Sequence, residues 1–347
     1  MKKFLSLALA LSMCVSLVAC GSKEEAPAPA PAPAPEASQP AEAAPAGAYV
    51  YSGGRLTIGG ADSTGTMYAA AAAIATTFGG KIEGLNVDAT TSSGSNENAL
   101  NVQEGEIELG MCSGDAAAAA VAGTGKFADV GACTDIVAIG AVYASLSNWI
   151  ALKSTGYEYL HDAVGGTFGI GPAASTTESS SLLGLEASGI TADNSTFQNV
   201  TLGDGADNVA NGIMTAASAF AGIPVGAQLN ASVTKDCVWL GFTDAELDAI
   251  LAANPSYYKT VIPAGTYNGQ DADVPTFGVK CMVICNKSLD SELVYNLAKT
   301  LAENTEEMIA GNSVFAGMAD PSFICNDLPI PLHDGAAAYY GDAGMLK

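Results

Sequence analysis

Arginine is almost absent from this 347-residue chain: Arg55 is the single one, beside twelve lysines and only two histidines, His161 and His333. A guanidinium clamp on an anionic ligand would therefore have to use Arg55 itself. Thirteen basic residues face 36 acidic ones, a formal net charge of −23. Removal of an amino-terminal leader holding Lys2 and Lys3 leaves 11 against 36, or −25. Such a surface repels phosphate backbones, which argues against a nucleic-acid partner. Two histidines far apart give little material for a zinc site, and no cofactor or metal is expected. GxSxG and HExxH patterns are both missing, so these common hydrolase chemistries lose their nucleophile or base and an enzyme is not expected. Beyond the leader no apolar run reaches the roughly 20 residues of a membrane-spanning helix.

Cysteine is present but not in pairs that read as a framework. Six follow Cys20, namely Cys112, Cys133, Cys237, Cys281, Cys285 and Cys325, and none has CxxC spacing. Cys281 and Cys285 share a strand-like stretch, where four residues span about 13 Å, beyond disulfide reach. Small apolar core residues are the expected role for most of them. Gly123-Thr124-Gly125-Lys126 echoes a phosphate loop, but Phe127 stands where Ser or Thr is required, so it reads as a turn.

Residues 1–19 have the form of an export signal, with Lys2 and Lys3 ahead of a short apolar stretch. Leu17-Val18-Ala19-Cys20-Gly21 resembles the bacterial lipobox, which implies a diacylated Cys20 as the first residue of the mature protein, held at the cell membrane on its outer side. Two acyl chains give stable anchoring where one does not. Residues 20–54 are rich in Pro and Ala, with strict alternation from Ala26-Pro27 to Ala34-Pro35. Proline fixes φ and lacks a donor, so this stretch reads as a semi-rigid polyproline spacer reaching roughly 60 to 100 Å.

From Arg55 onward, four times an apolar strand runs into a loop of Gly, Ser and Thr and then a helix. The junctions are Leu56 to Thr66, Val87 to Ser95, Ile107 to Asp115 and Gly166 to Glu178. Alternation of this kind implies an α/β fold with a largely parallel sheet, whose ligands bind beyond the carboxyl ends of the strands. Helix amino termini with hydroxyl side chains can hold a carboxylate without a formal cation. Plain helix capping accounts for any single junction equally well, since Ser175-x-x-Glu178 and Thr243-x-x-Glu246 both fit the capping box. Four together point to a pocket. The candidate donors are Ser63, Thr64, Thr66, Ser92 and Ser95, with Asn98 and Ser113 at the polar edge, Tyr68 as an apolar wall, and Ser175 and Thr177 from a second lobe. Asp115 is either an acceptor for a ligand ammonium or a first-turn acid stabilising its helix. Tyr143, Trp149 and Tyr267 are either cleft aromatics or core.

Gly59-Gly60 with Gly65-Thr66-Met67-Tyr68, the Ser92-Ser93-Gly94-Ser95 loop with Asn98, Glu104 to Gly110, Pro263-Ala264-Gly265-Thr266-Tyr267 and the tail Leu328-Pro329-Ile330-Pro331-Leu332-His333-Asp334-Gly335-Ala336 resemble the TAXI family of TRAP-associated extracytoplasmic solute receptors. The resemblance runs from Leu56 to Lys347. It departs at Met67, where an aromatic is common, and at Ser93, where a second glycine is common. It implies a type II periplasmic-binding-protein fold, two α/β lobes joined by a two-strand hinge. It also implies a monomer that closes on a small carboxylate or amino acid, glutamate- or 2-oxoglutarate-like, and hands it to TRAP integral membrane permease subunits. The two longest strand-like runs, Ile136 to Leu152 and Thr276 to Asn286, place lobe one at 55–145 plus 276–347 and lobe two at 146–275. A same-fold receptor for another importer or a sensor is the first alternative, and an exported enzyme the second.

Overall fold

Three strand–loop–helix units begin the first lobe. Leu56–Gly59 (β1) leads to Thr66–Lys81 (α1), Val87–Thr90 (β2) to Ser95–Glu104 (α2), and Leu109–Ser113 (β3) to Gly114–Ala122 (α3). Alanine in α1 and α3 favours helix at little side-chain entropy cost, and leaves both slim enough to lie close on the sheet. α2 and α3 each stop at a glycine in the left-handed region, Gly105 at φ 75° and Gly123 at φ 65°, where a Cβ would be strained. The computed structural model describes residues 49–347 apart from 62, 64 and 174. The leader, Cys20 and the Pro/Ala stretch to residue 48 lie outside the described residues.

Next comes a 17-residue strand, Ile136–Leu152 (β4). The second lobe then repeats the earlier grammar with Thr167–Gly169 (β5), Thr176–Ala187 (α4), Thr196–Gln198 (β6), Leu202–Ala210 (α5), Ala216–Ala221 (β7), Gly226–Thr234 (α6), Cys237–Trp239 (β8), Asp244–Ala253 (α7) and Tyr258–Ile262 (β9). Val274–Asn286 (β10) returns the chain to the first lobe, which is completed by Ser291–Glu303 (α8), Thr305–Gly311 (α9), Pro321–Cys325 (α10) and Asp334–Asp342 (α11).

The strands form one sheet in the order β2-β1-β3-β10-β4-β7-β5-β6, with β8 on β4 and β9 on β10. β1 pairs in parallel with β2 and β3, and β5 in parallel with β6 and β7. Two long antiparallel strands join these halves. β4 pairs with β10 over Ile136 to Leu146 and with β7 over Leu146 to Ala151, so it begins in one lobe and ends in the other. β10 pairs with β9 over Val274 to Gly278 and with β3 over Cys281 to Cys285, making the same passage in reverse. Each lobe thus has two parallel crossovers flanked by a strand borrowed from the long pair, the two-lobe arrangement of type II periplasmic binding proteins. It follows from sequence, because parallel neighbours need helical crossovers whereas only strands of this length can serve both halves.

Several hydrophobic clusters pack on the sheet. Ile58, Ile74, Phe78, Val283, Leu297 and Tyr340 belong to one cluster, whereas Trp149, Phe168, Leu185, Phe242 and Phe277 belong to another. Tyr49 and Tyr51 already pack on the first, and Val50 bridges to Glu83, so chain assigned to the spacer by composition makes contact with the lobe. The apolar face of Leu289, Leu293, Leu297, Leu301 and Met308 suggests one helix, but the structure breaks it at Asn304. There φ is −115° and the side-chain amide donates to the Thr300 carbonyl at 2.9 Å, which ends α8 before α9 starts. All six described cysteines are buried and free.

A cleft between the lobes as candidate ligand site

α1, α2 and α3 all start at the carboxyl ends of their strands, and so does α4 in the other lobe. These ends meet across the molecule at two places. Gly222, just after β7, lies so near lobe one that a Cβ built on it would sit 2.6 Å from Val314 Cγ2 and 3.0 Å from Thr66 Cγ2. The Tyr257 hydroxyl donates to Asp115 Oδ2 at 3.1 Å. Between the lobes opens a cleft of about 590 Å³, lined by Asn96, Asp115 and Lys126 from lobe one and by Ser175, Ser179, Leu182 and Tyr257 from lobe two.

Each expected donor has a definite place. Thr64 lies outside the described residues, and Ser63 is exposed in the turn before α1. Thr66 and Tyr68, in the first turn of α1, are half-buried. Ser92 uses its hydroxyl to shape its own loop, donating to the Gly60 carbonyl at 2.9 Å and accepting from Gly94 N–H at 3.0 Å. Ser95 Oγ accepts from Ser113 N–H at 3.0 Å and so ties α2 to the end of β3. Asn98 is fully buried, its amide directed at the carbonyls of Gly59, Gly60 and Met111 at 3.1, 2.6 and 2.8 Å. It holds together the strand ends that carry the loops. Ser113, at the head of α3, is buried with a hydroxyl that has no protein partner, as has the Oδ1 of Asp115 two residues on.

From lobe two, Ser175 caps α4, accepting from Glu178 N–H at 3.1 Å and donating to the Pro172 carbonyl at 2.6 Å, and it faces the cleft. The Glu178 carboxylate accepts from the Asn199 amide at 2.7 Å, and a full reciprocal box forms at Thr243 and Glu246. Thr177 is buried beside the cleft, its hydroxyl accepting from Phe220 N–H at 3.4 Å. The structure therefore brings Asp115 and Ser175 into the lining of the cleft, with Ser113 and Thr177 buried close to lining residues in the chain, while Ser92 and Asn98 hold the strand ends together.

Other sequence candidates are placed elsewhere. Trp149 is fully buried against Phe168, and Tyr267 stacks on Trp239 at 4.2 Å with its hydroxyl donating to Asn148 Oδ1 at 2.9 Å. Both are core. Tyr143 is buried on the hinge strand, opposite Cys281. Arg55 precedes β1, at the strand end away from the loops, and is ion-paired with Asp88. The tail motif supports the hinge: Ala138 of β4 exchanges hydrogen bonds with Pro331 and His333, and the His333 ring accepts from Gly335 N–H at 3.0 Å.

Sequence reasoning missed Lys126 and Tyr257. The first is hidden in what reads as a glycine turn; the second meets Asp115 only across 142 residues of chain, a pairing no local pattern signals.

Electrostatically the hinge is quiet. Burial pushes the Cys281 thiol up to about 11 and the Cys112 thiol well above its ordinary value, so both stay protonated near neutrality and lack thiolate character. The Tyr257 phenol is raised by burial and then by the neighbouring Asp115, which keeps it a donor. Among the described residues no group of three or more His, Cys, Asp or Glu side chains is placed to hold a metal, and no helix is long and apolar enough to cross a membrane.

Among solved structures the chain is similar to the alkanesulfonate-binding protein SsuA of Xanthomonas axonopodis pv. citri bound to MOPS, with 12% identity over 83% of each chain and a TM-score of 0.45. It is similar to the aliphatic sulphonate binding protein SsuA of Escherichia coli, with 11% identity over 84% of each chain and a TM-score of 0.46. A substrate binding protein of an amino acid ABC transporter shows 12% identity over 77% of this chain and 98% of that chain, with a TM-score of 0.41. The family model described as NMT1-like family matches residues 58–344, nearly the whole of both lobes, and the chain belongs to that family.

Proposed function

We propose that the protein is an extracytoplasmic solute-binding receptor that captures a small organic anion or amino acid between its lobes and delivers it to a TRAP-type membrane permease. The cleft carries this reading. Its volume of about 590 Å³ falls within the roughly 300–1,000 Å³ of small-ligand pockets. It is lined from both lobes, and the twelve-residue helix α4 presents its amino terminus there, where unpaired N–H groups and the helix dipole favour a carboxylate. Ser113, Ser175 and Thr177 would hold the ligand directly, with Thr66 and Ser63 at the α1 end and Tyr68 as a wall. Thr64 is proposed with them on its sequence position alone. A glutamate-like ligand suits donors for an anion beside the Asp115 carboxylate, whose Oδ1 would take the ammonium, whereas a 2-oxoglutarate-like ligand would use the anion donors alone.

Thermal-shift screening of the purified protein against organic acids and amino acids tests this. A ligand at 100 times its Kd is expected to stabilise the fold by about 2.7 kcal/mol. No shift with any of them would sink the reading. The permease is proposed from the resemblance of the Gly65 to Tyr68, Pro263 to Tyr267 and Leu328 to Ala336 segments to TAXI receptors. Uptake by vesicles carrying a TRAP permease, dependent on added receptor, separates it from a receptor for another importer and from a sensor.

Anchoring through Cys20 is part of the proposal. Cys20→Ala is expected to move the protein from the membrane fraction to the soluble one while the thermal unfolding of the lobes stays unchanged. Full membrane partitioning of the variant would exclude a lipid at this position.

A further inference from the structure

We propose that Lys126 is a ligand-binding residue of the cleft, the one by which it distinguishes an acid from its carboxamide; this rests on the receptor reading above. Among the described cations Arg55, Lys81, Lys259 and Lys287 are each paired with a carboxylate. Lys280 donates to the Asn326 carbonyl at 2.6 Å. Lys126 has no such partner, which it shares with Lys153, Lys235, Lys299 and Lys347, but it is the single cationic side chain among the residues lining the cleft. Its backbone is held firmly for so exposed a residue. Gly125–Phe127 forms one turn of 3-10 helix, Phe127 N–H donates to the Thr124 carbonyl at 3.0 Å, and the Phe127 ring is 1% exposed in the core of the lobe.

Across the cleft stand Ser175 and the start of α4. Lobe one thus contributes a full positive charge, and lobe two a hydroxyl and a partial one, to the same space. An anion between them interacts with both lobes only when they are closed, which is what a ligand must do to drive closure. In a protein of net charge −23, whose cleft is itself lined by the Asp115 and Glu178 carboxylates, Lys126 supplies the one full positive charge of the lining on which an anion can settle. The ammonium has three donors and no acceptor, so its preference for carboxylate over an isosteric amide is one of charge rather than of shape.

Calorimetric titration of the protein with matched acids and amides tests the inference: glutamate and glutamine, aspartate and asparagine, succinate and succinamate. The wild type should prefer the acid of at least one pair. Lys126→Gln should weaken the acid by about tenfold, the size of a charge-assisted contact partly open to water, and leave the amide unchanged. Lys126→Arg should restore the preference, and acid binding should depend less on salt in Lys126→Gln than in the wild type. A preference untouched by Lys126→Gln, or equal weakening of acid and amide, overturns the inference while the receptor reading stands. A wild type that binds none of these acids overturns both.

Discussion

Gly222→Leu is expected to lower ligand affinity by about a hundredfold or more, near 2.7 kcal/mol, while both lobes remain folded. Gly222 follows β7 in lobe two, yet the nearest atoms to a Cβ there are Val314 Cγ2 at 2.6 Å and Thr66 Cγ2 at 3.0 Å, both in lobe one, followed by Tyr143 Cδ2 at 3.4 Å on the hinge. A single methyl could be met by a small shift of Val314. A leucine adds three more carbons in a direction closed by a helix start and a hinge strand, and interiors at native packing density do not absorb that volume. The side chain fits only if the lobes stand apart, so the variant is held in the open form. Apparent affinity then falls by the fraction of molecules still able to close. Gly226→Leu is the control, since a Cβ at Gly226 in the same lobe meets nothing within 4 Å. Solution scattering with saturating ligand should give a larger radius of gyration for Gly222→Leu than for wild type or control. Wild-type affinity together with a wild-type radius would show that this contact does not report closure.

Much of the scaffold is legible from local chemistry. The strand at Leu56 and the helices at Thr66, Ser95 and Thr176 arise where apolar runs meet Gly, Ser and Thr loops, because the signal for each lies within a few neighbouring residues. The long runs at Ile136 and Thr276 stand out for the same reason, and both are strands that cross between the lobes. Side-chain roles in the cleft are less legible. Ser92 and Asn98 look like ligand donors in a Gly-Ser loop, but whether such groups face a ligand or a carbonyl depends on Gly60, more than 30 residues away. Lys126 sits in a turn whose wording only excludes a phosphate loop, and nothing local says that α4 lies opposite. Asp115 could be read as a helix-stabilising acid or a ligand acceptor. The structure adds a third task, acceptance from Tyr257, which local sequence could not supply.

Phe277→Ala is expected to cost about 3–5 kcal/mol of stability in lobe two and to weaken binding as well. The ring is fully buried, with centroids 5.1 Å from Tyr257, 5.4 Å from Phe242 and 5.8 Å from Phe220. It lies on β10, the strand that carries the chain back to lobe one. Truncation leaves a cavity among three aromatic rings anchored on other elements, which cannot all collapse into it, so the upper part of the range is expected. Phe277→Leu fills most of the space and should cost less. The loss reaches the cleft through Tyr257, whose ring packs on Phe277 and whose hydroxyl meets Asp115 across the lobes at 3.1 Å. Tyr257→Phe separates the two effects. It keeps the ring and removes only the hydroxyl, and a hydrogen bond to a charged acceptor is worth about 1.5–3 kcal/mol. That variant should unfold in urea close to the wild type, because the bond forms between lobes rather than within one, yet bind ligand roughly tenfold more weakly as the closed form loses its cross-lobe contact. Urea unfolding followed by calorimetric titration would read both quantities. A Phe277→Ala protein within 1 kcal/mol of wild type would remove the aromatic cluster as the support of lobe two, and an unaltered Kd in Tyr257→Phe would remove the Tyr257–Asp115 contact from closure.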